Sequence, residues 1–285
     1  MAESFALVAS FCFAVSHVMV RRGLITSNAI TASFVSLGVA VVILWLLVFF
    51  FLPLGSFRTP AIGYFIAAGI FAPALGRTLG YVGIERVGVI RAVPIVNSSP
   101  VFASLFAVLL LGESWPLQNL LGTLLVMIGV AILSSKRSEH RPWRVGDLLF
   151  PLLGALAFGV STNLRKLGLL LENVPLMAAT VTATTAFLCT WVVIRARRGK
   201  GGLMLTPSGF AWFIGAGICN TGSILSVFYA LSSGKVVIVE PLVCTNPILS
   251  IVLAAIFLRD IEVITTRVVI GAFCTVLGTI LVLTL

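Results

Sequence analysis

The sequence predicts an all-α polytopic membrane protein, with ten transmembrane helices arranged as two five-helix inverted-topology repeats around a central cavity. Three observations lead to this fold class. Hydrophobic residues make up 59% of the chain and charged residues 10%, whereas soluble domains carry about 25% charged residues. Apolar segments long enough to cross a bilayer recur along the whole chain. The second half of the chain also repeats the pattern of the first.

Ten apolar segments can be drawn along the chain. They cover residues 4–20, 29–52, 61–83, 88–111, 116–134, 147–164, 175–194, 208–231, 236–258 and 264–285. About 20 helical residues cross the hydrocarbon core, so the first and sixth segments are marginal. The basic connection after segment five divides the chain into a first five-helix repeat at 1–135, a linker at 136–146 and a second repeat at 147–285.

The most faithfully repeated stretch is RAVPIVNSSPVFASLFAVLLLGE at 91–113, which recurs 147 positions later as IVEPLVCTNPILSIVLAAIFLRD at 238–260. Its two prolines and its closing acid, Glu113, fall on two prolines and Asp260. Other matches include Phe13 with Phe158, Ser16 with Ser161, Gly23 with Gly168, Phe65 with Phe213 and Gly69 with Gly217. Because each repeat holds an odd number of spans, the second repeat must enter the membrane from the opposite side.

Prolines inside these membrane segments predict interrupted helices. A proline leaves the carbonyl four residues earlier without its amide partner, and in lipid that carbonyl must be satisfied by protein, water or ligand. Asn97, Ser98 and Thr245 lie between the paired prolines. Broken helices at matching places in two halves are typical of a transporter's midplane site. These three residues are therefore predicted to bind substrate, and the prolines to act as hinges: Pro94, Pro100, Pro241 and Pro247. A simple packing kink is the alternative for any one of them.

Ionisable residues inside the apolar segments are the sharpest functional signal, because a charge at that depth is costly. Arg77 lies in segment three, Arg91 begins segment four, and Glu240 precedes a proline in segment nine. The Arg77 guanidinium suits bidentate binding of a carboxylate, sulfonate or phosphate. Glu240 and Arg91 are candidates for ion coupling. A structural ion pair is the alternative for each of the three.

Other polar residues within the segments are candidates for lining a cavity and binding substrate: His17, Thr78, Tyr81, Asn163, Asn220 and Tyr229. Interhelical hydrogen bonding is the alternative for each. His17 has no partners at ligand spacing, so no metal is expected. Glycines seven residues apart, Gly122 with Gly129 and Gly271 with Gly278, predict close helix packing within a monomer or a homodimer.

Catalytic and nucleotide-binding motifs are missing from the sequence, so we expect neither enzymatic activity nor a cofactor. The net charge of +10 points to membrane topology and anionic headgroups rather than nucleic acid. With the predicted spans, twelve basic residues fall on one side of the membrane and four on the other. The positive-inside rule then places both termini outside.

These features together resemble the EamA-type transporters of the drug/metabolite transporter superfamily. The resemblance rests on the five-plus-five spans, the closing LGE at 111–113 and LRD at 258–260, the Glu240-Pro241 pair and the glycine-spaced segments five and ten. It implies a basket of two inverted repeats around a central cavity, alternating access and secondary transport of small metabolites, often export of amino acids. It also implies cytoplasmic termini, opposite to the basic-residue count, so the orientation stays open.

The expected function is therefore a secondary-active transporter of small polar or zwitterionic metabolites in the cell inner membrane, with an amino-acid exporter favoured. Arg77 would engage the acidic group of the substrate, and a proton is a candidate coupling ion. An organic-anion, sugar-phosphate or drug carrier of the same fold is the alternative. A membrane lipid-phosphate enzyme is disfavoured, because the sequence has no clustered acids beside a phosphate-handling set.

Overall fold

A computed structural model describes residues 1–53, 59–76, 79, 82–83, 95–96, 98–134, 144–196 and 203–246, with isolated positions between 249 and 281. The described helices are α1 (Ala2–Gly23), α2 (Ala29–Phe51), α3 (Ala61–Gly69), which continues as a π-helix (Ile70–Gly76), α4 (Ser99–Leu111), α5 (Leu117–Ser134), α6 (Leu149–Leu171), which follows a 3₁₀ turn (Val145–Leu148), α7 (Pro175–Ala196), α8 (Pro207–Ser233) and α9 (Val236–Val243).

Five of these helices, α1, α2, α6, α7 and α8, are long and apolar enough to cross a membrane. Shorter apolar helices cover parts of segments three, four and five. Their outer faces are strongly apolar: Phe49, Phe50 and Phe51 at the end of α2 are each more than 70% exposed. Such a surface is stable only against lipid. The protein is therefore a multi-pass membrane protein, while the full count of ten spans remains a prediction.

The predicted end of segment six, residue 164, is wrong, because α6 continues to Leu171. Arg165 and Lys166, which follow the predicted end of segment six, thus lie inside a helix. The helix can continue because residues 167–171 are again apolar apart from one glycine. In addition, the Lys166 ammonium group donates hydrogen bonds to the carbonyl oxygens of Leu231 (2.7 Å) and Gly234 (2.8 Å).

Equivalent residues of the two halves make reciprocal contacts. The Ser16 hydroxyl donates to the carbonyl oxygen of Ala216 at 3.0 Å, and its repeat equivalent Ser161 donates to that of Ala68 at 2.8 Å. The same reciprocal contact occurs between a glycine of one half and an aromatic ring of the other: Gly23 lies against the Phe213 ring, and Gly168 lies against the Phe65 ring. Contacts that exchange partners in this way are the mark of a two-fold axis, here a pseudo-two-fold axis between the halves.

The two halves also run in opposite directions. A methyl group placed on Gly234 would lie 2.5 Å from Cβ of Ala2, so the start of α1 lies beside the end of α8. Lys166, near the end of α6, donates to the carbonyl oxygen of the same Gly234. The start of α1 and the end of its repeat equivalent α6 therefore lie at one end of the molecule, as inverted repeats require.

Each half contributes helices to two mixed bundles. In the first bundle, α1 packs on α8 and α9, and α2 packs on α8. In the second bundle, α6 packs on α3 and α4, and α7 packs on α3. Contacts between α2 and α7 and between α4 and α9 join the two bundles. This arrangement leaves room for a central site whose walls come from both halves of the chain.

The helices are interrupted near the predicted prolines, in two different ways. Pro241 lies inside α9, which ends two residues later at Val243. There the Thr245 hydroxyl donates to the Leu242 carbonyl oxygen at 2.7 Å, and the Asn246 amide donates to that of Val243 at 3.0 Å. Pro100, by contrast, occupies the first turn of α4. A proline is tolerated there because the amide of a first turn has no helical partner, so Pro100 does not kink the interior of a described helix.

Close glycine contacts within the second bundle predict a measurable stability effect. A methyl group on Gly69 of α3 would lie 2.8 Å from both the Thr182 carbonyl oxygen and Cβ of Thr185 on α7. We expect Gly69→Ala to lower the stability of the detergent-solubilised protein by about 1–3 kcal/mol, because a packed core resists an added methyl group. Gly63→Ala on the same helix is the matched control, since nothing lies within 4 Å of its added methyl group. Equal melting temperatures for the two variants would contradict the prediction.

Candidate functional site: a charged cavity between the two bundles

A cavity of about 250 Å³ lies between the two bundles. Helices α1, α2, α8 and α9 line one side of it, and α4, α6, α7 and the π-helix line the other. The polar residues of its described lining are Ser99, Thr162, Arg165, Thr182, Asn220, Glu240 and Asn246. A small, mainly apolar cavity with a few converging polar groups is the usual form of a small-molecule site.

Arg165 is the cationic group of this cavity. Its Nε atom is buried and has no hydrogen-bond partner among the described residues. The guanidinium lies over the Phe228 ring, with Cζ 5.5 Å from the ring centroid, so α8 holds its position through a cation–π contact. Burying an incompletely partnered guanidinium costs free energy. A group kept in that state is suited to receive an anionic ligand.

Glu240 is the anionic group of the cavity, on the opposite bundle. It accepts a hydrogen bond of 2.6 Å from the Thr162 hydroxyl of α6, and its charge interacts with that of Arg165. Within the part of the chain that the structure describes, the one ion pair joins the N-terminal ammonium group to Glu3, so Arg165 and Glu240 are not in direct contact. Two opposite charges therefore face one small cavity without neutralising each other directly.

Among the described residues that line the cavity, both charged groups come from the second half of the chain. At the repeat-equivalent positions the first half has Val20 and Val93. The walls, in contrast, keep the repeat symmetry, because Phe13 and its equivalent Phe158 both line the cavity. Within the described lining, the charged groups therefore belong to one repeat, and the two repeats contribute differently to the charge of the site.

The remaining wall is apolar and lies on α8 and α9. Ile224, Val227, Phe228 and Val243 line this part of the cavity. An apolar wall beside two separated opposite charges fits a small solute with an acidic group, a basic group and an apolar portion. The apolar wall also lowers the local dielectric constant, which strengthens charge recognition.

Two of the residues predicted to form the site, Asn220 and Glu240, line this cavity. Thr245 is buried next to it and shares a 2.9 Å hydrogen bond with the Ser10 hydroxyl. Ser98 donates to the Ile95 carbonyl oxygen at 2.6 Å, and its neighbour Ser99 lines the cavity instead. Asn220 and Glu240 thus line the cavity, whereas Thr245 and Ser98 lie next to residues that line it.

Three other predicted residues lie elsewhere in the described structure. Asn163 is buried and donates to the carbonyl oxygens of Ala103 (2.9 Å) and Gly159 (3.0 Å), which joins α6 to α4. Tyr229 is 40% exposed and stacks on Phe5. His17 stacks on Phe13 from an exposed position on α1. The contacts of Asn163 with Ala103 and of Tyr229 with Phe5 join separate helices, whereas the His17 ring stacks on Phe13 within α1.

Seven predicted residues lie outside the described part of the chain: Arg77, Thr78, Tyr81, Arg91, Pro94, Asn97 and Pro247. Their roles as substrate-binding, coupling or hinge residues stay predictions.

The predicted close packing at the glycines of segments five and ten is observed for one glycine pair. A methyl group on Gly278 would lie 2.7 Å from the Gly122 carbonyl oxygen. Segments five and ten therefore pack closely within one chain.

Sequence reasoning missed Arg165. The predicted segment six ends at residue 164, which places Arg165 in the connection that follows it. The signal that could have found it is the apolar run at 167–171, which extends the helix past both charges. Thr162 is a polar residue within segment six and, like Asn163, a candidate on sequence for lining a polar cavity, but its contact with Glu240 on another helix could not be predicted.

Comparisons with known proteins agree with this architecture. The model of the EamA-like transporter family matches residues 1–135 and again residues 144–284. A solved structure whose title reads only "Crystal structure of protein" is similar over 99% of this chain and 96% of its own, with a TM-score of 0.80 and 15% sequence identity. At that identity the likeness shows the fold alone. No curated protein matches the sequence.

Proposed function

Because the chain belongs to the EamA-like transporter family, we propose that it is a secondary-active carrier of small zwitterionic metabolites, amino acids foremost. It would export them across the cell inner membrane by alternating access. The observation that carries this proposal is the pair of opposite charges, Arg165 and Glu240, which face one small cavity from different bundles. Family members are transporters of small substrates, and this pair suggests the substrate's chemistry.

The charges suggest how a zwitterion would bind. The Arg165 guanidinium would hold the carboxylate through two parallel hydrogen bonds, which is the geometry that arginine favours. The Glu240 carboxylate would accept from the ammonium group, with the Thr162 hydroxyl fixing its orientation. Each charged group of the cavity would then gain a direct partner of opposite charge.

The size of the cavity favours a small solute. The cavity has a volume of about 250 Å³. Pockets for drug-sized ligands range from about 300 to 1,000 Å³. In this conformation the cavity therefore suits an amino acid better than a drug, which weakens the drug-carrier alternative.

A carrier of organic anions or sugar phosphates is the second candidate. The observation that favours it is the unpartnered Nε of Arg165, because a phosphate or sulfonate would also satisfy a guanidinium. Glu240 weighs against this candidate, since an ionised carboxylate in the same cavity repels an anion that has no ammonium group.

Several finer parts of the proposal rest on the sequence. Pro241, inside α9, is the described candidate for a hinge, together with the predicted hinges Pro94 and Pro247. Arg77 is proposed as a second anion-binding group, and a proton as the coupling ion through Glu240. The export direction follows only from the family resemblance.

Counterflow in proteoliposomes tests the proposed function. Vesicles loaded with a neutral amino acid are diluted into the same labelled compound, and competitors are added outside: other amino acids, their deaminated acids and sugar phosphates. We expect saturable counterflow that amino acids inhibit, with the deaminated acids at least about tenfold weaker, because they lose one charge-assisted contact. Counterflow with sugar phosphates but not amino acids would establish the second candidate. Absence of counterflow for every compound, in folded protein, would overturn the transport proposal.

A further inference from the structure

We propose that the cavity contains a second polar subsite, formed by Asn220 and Ser99, which binds a carboxamide group at the end of the substrate's side chain. The substrate class is then amino acids with the side-chain length of asparagine or glutamine. This inference rests on the proposed function, because it assigns the part of an amino acid that Arg165 and Glu240 leave unbound.

One face of α8 lines the cavity over about two turns. Asn220, Ile224 and Val227 are four and then three residues apart, a spacing that places side chains on one face of a helix. Asn220 also precedes Phe228, whose ring lies under the Arg165 guanidinium. The eight positions between these two residues correspond to about 12 Å along the helix axis. Asn220 therefore lines the same cavity well away from the guanidinium.

Helix α6 shows the same spacing on the other bundle. Phe158, Thr162 and Arg165 are again four and three residues apart, and all three line the cavity. The ends of α6 and α8 lie together, because the Lys166 ammonium group donates to the Gly234 carbonyl oxygen. The cavity thus has a charged part toward these two helix ends and a second part farther from them.

Ser99 lines the second part from the other bundle. It lies at the start of α4, which points away from the ends of α6 and α8, because Glu113 just after α4 accepts from the amide of Val236, three residues after α8. Ala103, one turn after Ser99, packs on α6: a methyl group on Gly159 would lie 2.9 Å from the Ala103 amide nitrogen. Ser99 and Asn220 therefore line the same part of the cavity from different bundles.

The Asn220 amide is available to a ligand. Within the part of the chain that the structure describes, neither this amide nor the Ser99 hydroxyl makes a hydrogen bond. The amide of Asn246, in contrast, already donates to the Val243 carbonyl oxygen at 3.0 Å. An amide that lines a mainly apolar cavity without a partner is suited to bind a polar group of the substrate.

The chemistry of this subsite favours a carboxamide. An asparagine side chain offers both a donor and an acceptor, so a second amide can pair with it through two reciprocal hydrogen bonds. The Ser99 hydroxyl can donate or accept beside them. Both side chains are uncharged, and a charged end group held by them would be buried without an opposite charge, at a high cost in free energy.

The length of the substrate agrees with the spacing of the cavity. At about 1.2 Å per bond of an extended chain, glutamine spans about 7 Å from a carboxylate oxygen to its side-chain oxygen. A hydrogen bond of about 2.9 Å at each end extends this reach to about 13 Å. Asparagine is one bond shorter. Both lengths match the separation of about 12 Å along α8, and the methylene groups would pack on Ile224, which lines the wall between.

Binding to the detergent-solubilised protein tests the subsite without requiring transport. Ligand-induced shifts of the melting temperature compare asparagine with leucine, and glutamine with homoleucine, since each pair shares its shape and differs in the terminal amide. We expect the carboxamide of at least one pair to bind about fivefold or more tightly than its apolar isostere, because it gains reciprocal hydrogen bonds. Asn220→Leu should abolish or invert this preference, while the apolar isostere binds as well as before or better.

The matched control is Thr221→Val, at the next position of α8. The Thr221 hydroxyl donates to the Gly217 carbonyl oxygen of its own helix at 2.8 Å and does not belong to the described lining of the cavity. This variant should keep the wild-type preference. Asn220→Asp is the second variant in case Asn220→Leu fails to fold. Its carboxylate should improve the binding of ornithine relative to glutamine about tenfold or more, because the ornithine side chain ends in an ammonium group.

Three results would overturn the subsite: apolar isosteres that bind the wild type as tightly as the carboxamides, aspartate or ornithine that binds it more tightly, or a preference that survives both Asn220 variants. Absence of binding by every compound would overturn it as well. Failure of the proposed function is distinguishable. Binding of a carboxamide amino acid that depends on Asn220, without counterflow, would contradict transport and keep the subsite. Counterflow of amino acids without that preference would keep transport and overturn the subsite.

Discussion

Replacing Arg165 with methionine is expected to weaken amino-acid transport more than any other single change in the cavity. The apparent KM should rise by about 10- to 150-fold, since hydrogen bonds to a charged group contribute about 1.5–3 kcal/mol. Competition counterflow in proteoliposomes measures the change. Arg165→Lys should recover part of the affinity, because an ammonium group keeps the charge but not the planar fork of donors.

The stability of Arg165→Met separates a binding role from a structural one. Arg165 Nε is buried without a hydrogen-bond partner in the described structure. Removing an incompletely satisfied charge relieves a desolvation cost, so the melting temperature should stay unchanged or rise. The matched control is Arg195→Gln on α7, which removes another arginine that lies over an aromatic ring, that of Trp191, away from the cavity. A marked fall in the melting temperature of Arg165→Met would indicate a structural ion pair instead.

Glu240→Gln is expected to change the selectivity of the site rather than abolish it. The variant keeps the shape of the side chain and an oxygen that can accept from Thr162, but it loses the negative charge facing the cavity. Affinity for an amino acid should fall about tenfold or more, while affinity for the matching deaminated acid should stay or increase. The ratio of the two inhibition constants in the counterflow assay is the measurement.

Two outcomes would contradict this assignment of Glu240. If both compounds lose affinity equally, the glutamate supports the fold of the site rather than reading the ammonium group. If neither changes, the carboxylate does not face the substrate. Thr162→Val serves as the companion variant: it frees the carboxylate from its 2.6 Å hydrogen bond and should weaken amino-acid affinity by less than Glu240→Gln does, because the charge remains.

The sequence by itself determined the class and the duplication. A charged fraction of 10% with long apolar segments cannot fold around a soluble core, and the matching prolines and acids mark two related halves. The packing of Ser16 and Ser161 on the opposite halves' helices shows the same relation in space. Glu240 was also identifiable, because a carboxylate inside an apolar segment is costly wherever the helix lies.

Tertiary structure alone decided which polar groups meet. Arg165 reads as a loop residue in the sequence, and only the extension of α6 to Leu171 turns it into a cavity group facing Glu240. Asn163, two residues earlier, instead bonds to α4. The physical reason is that hydropathy and periodicity report burial along one helix, whereas the partner of a buried polar group depends on how separate helices cross. Here that crossing is set by the reciprocal packing of two inverted halves.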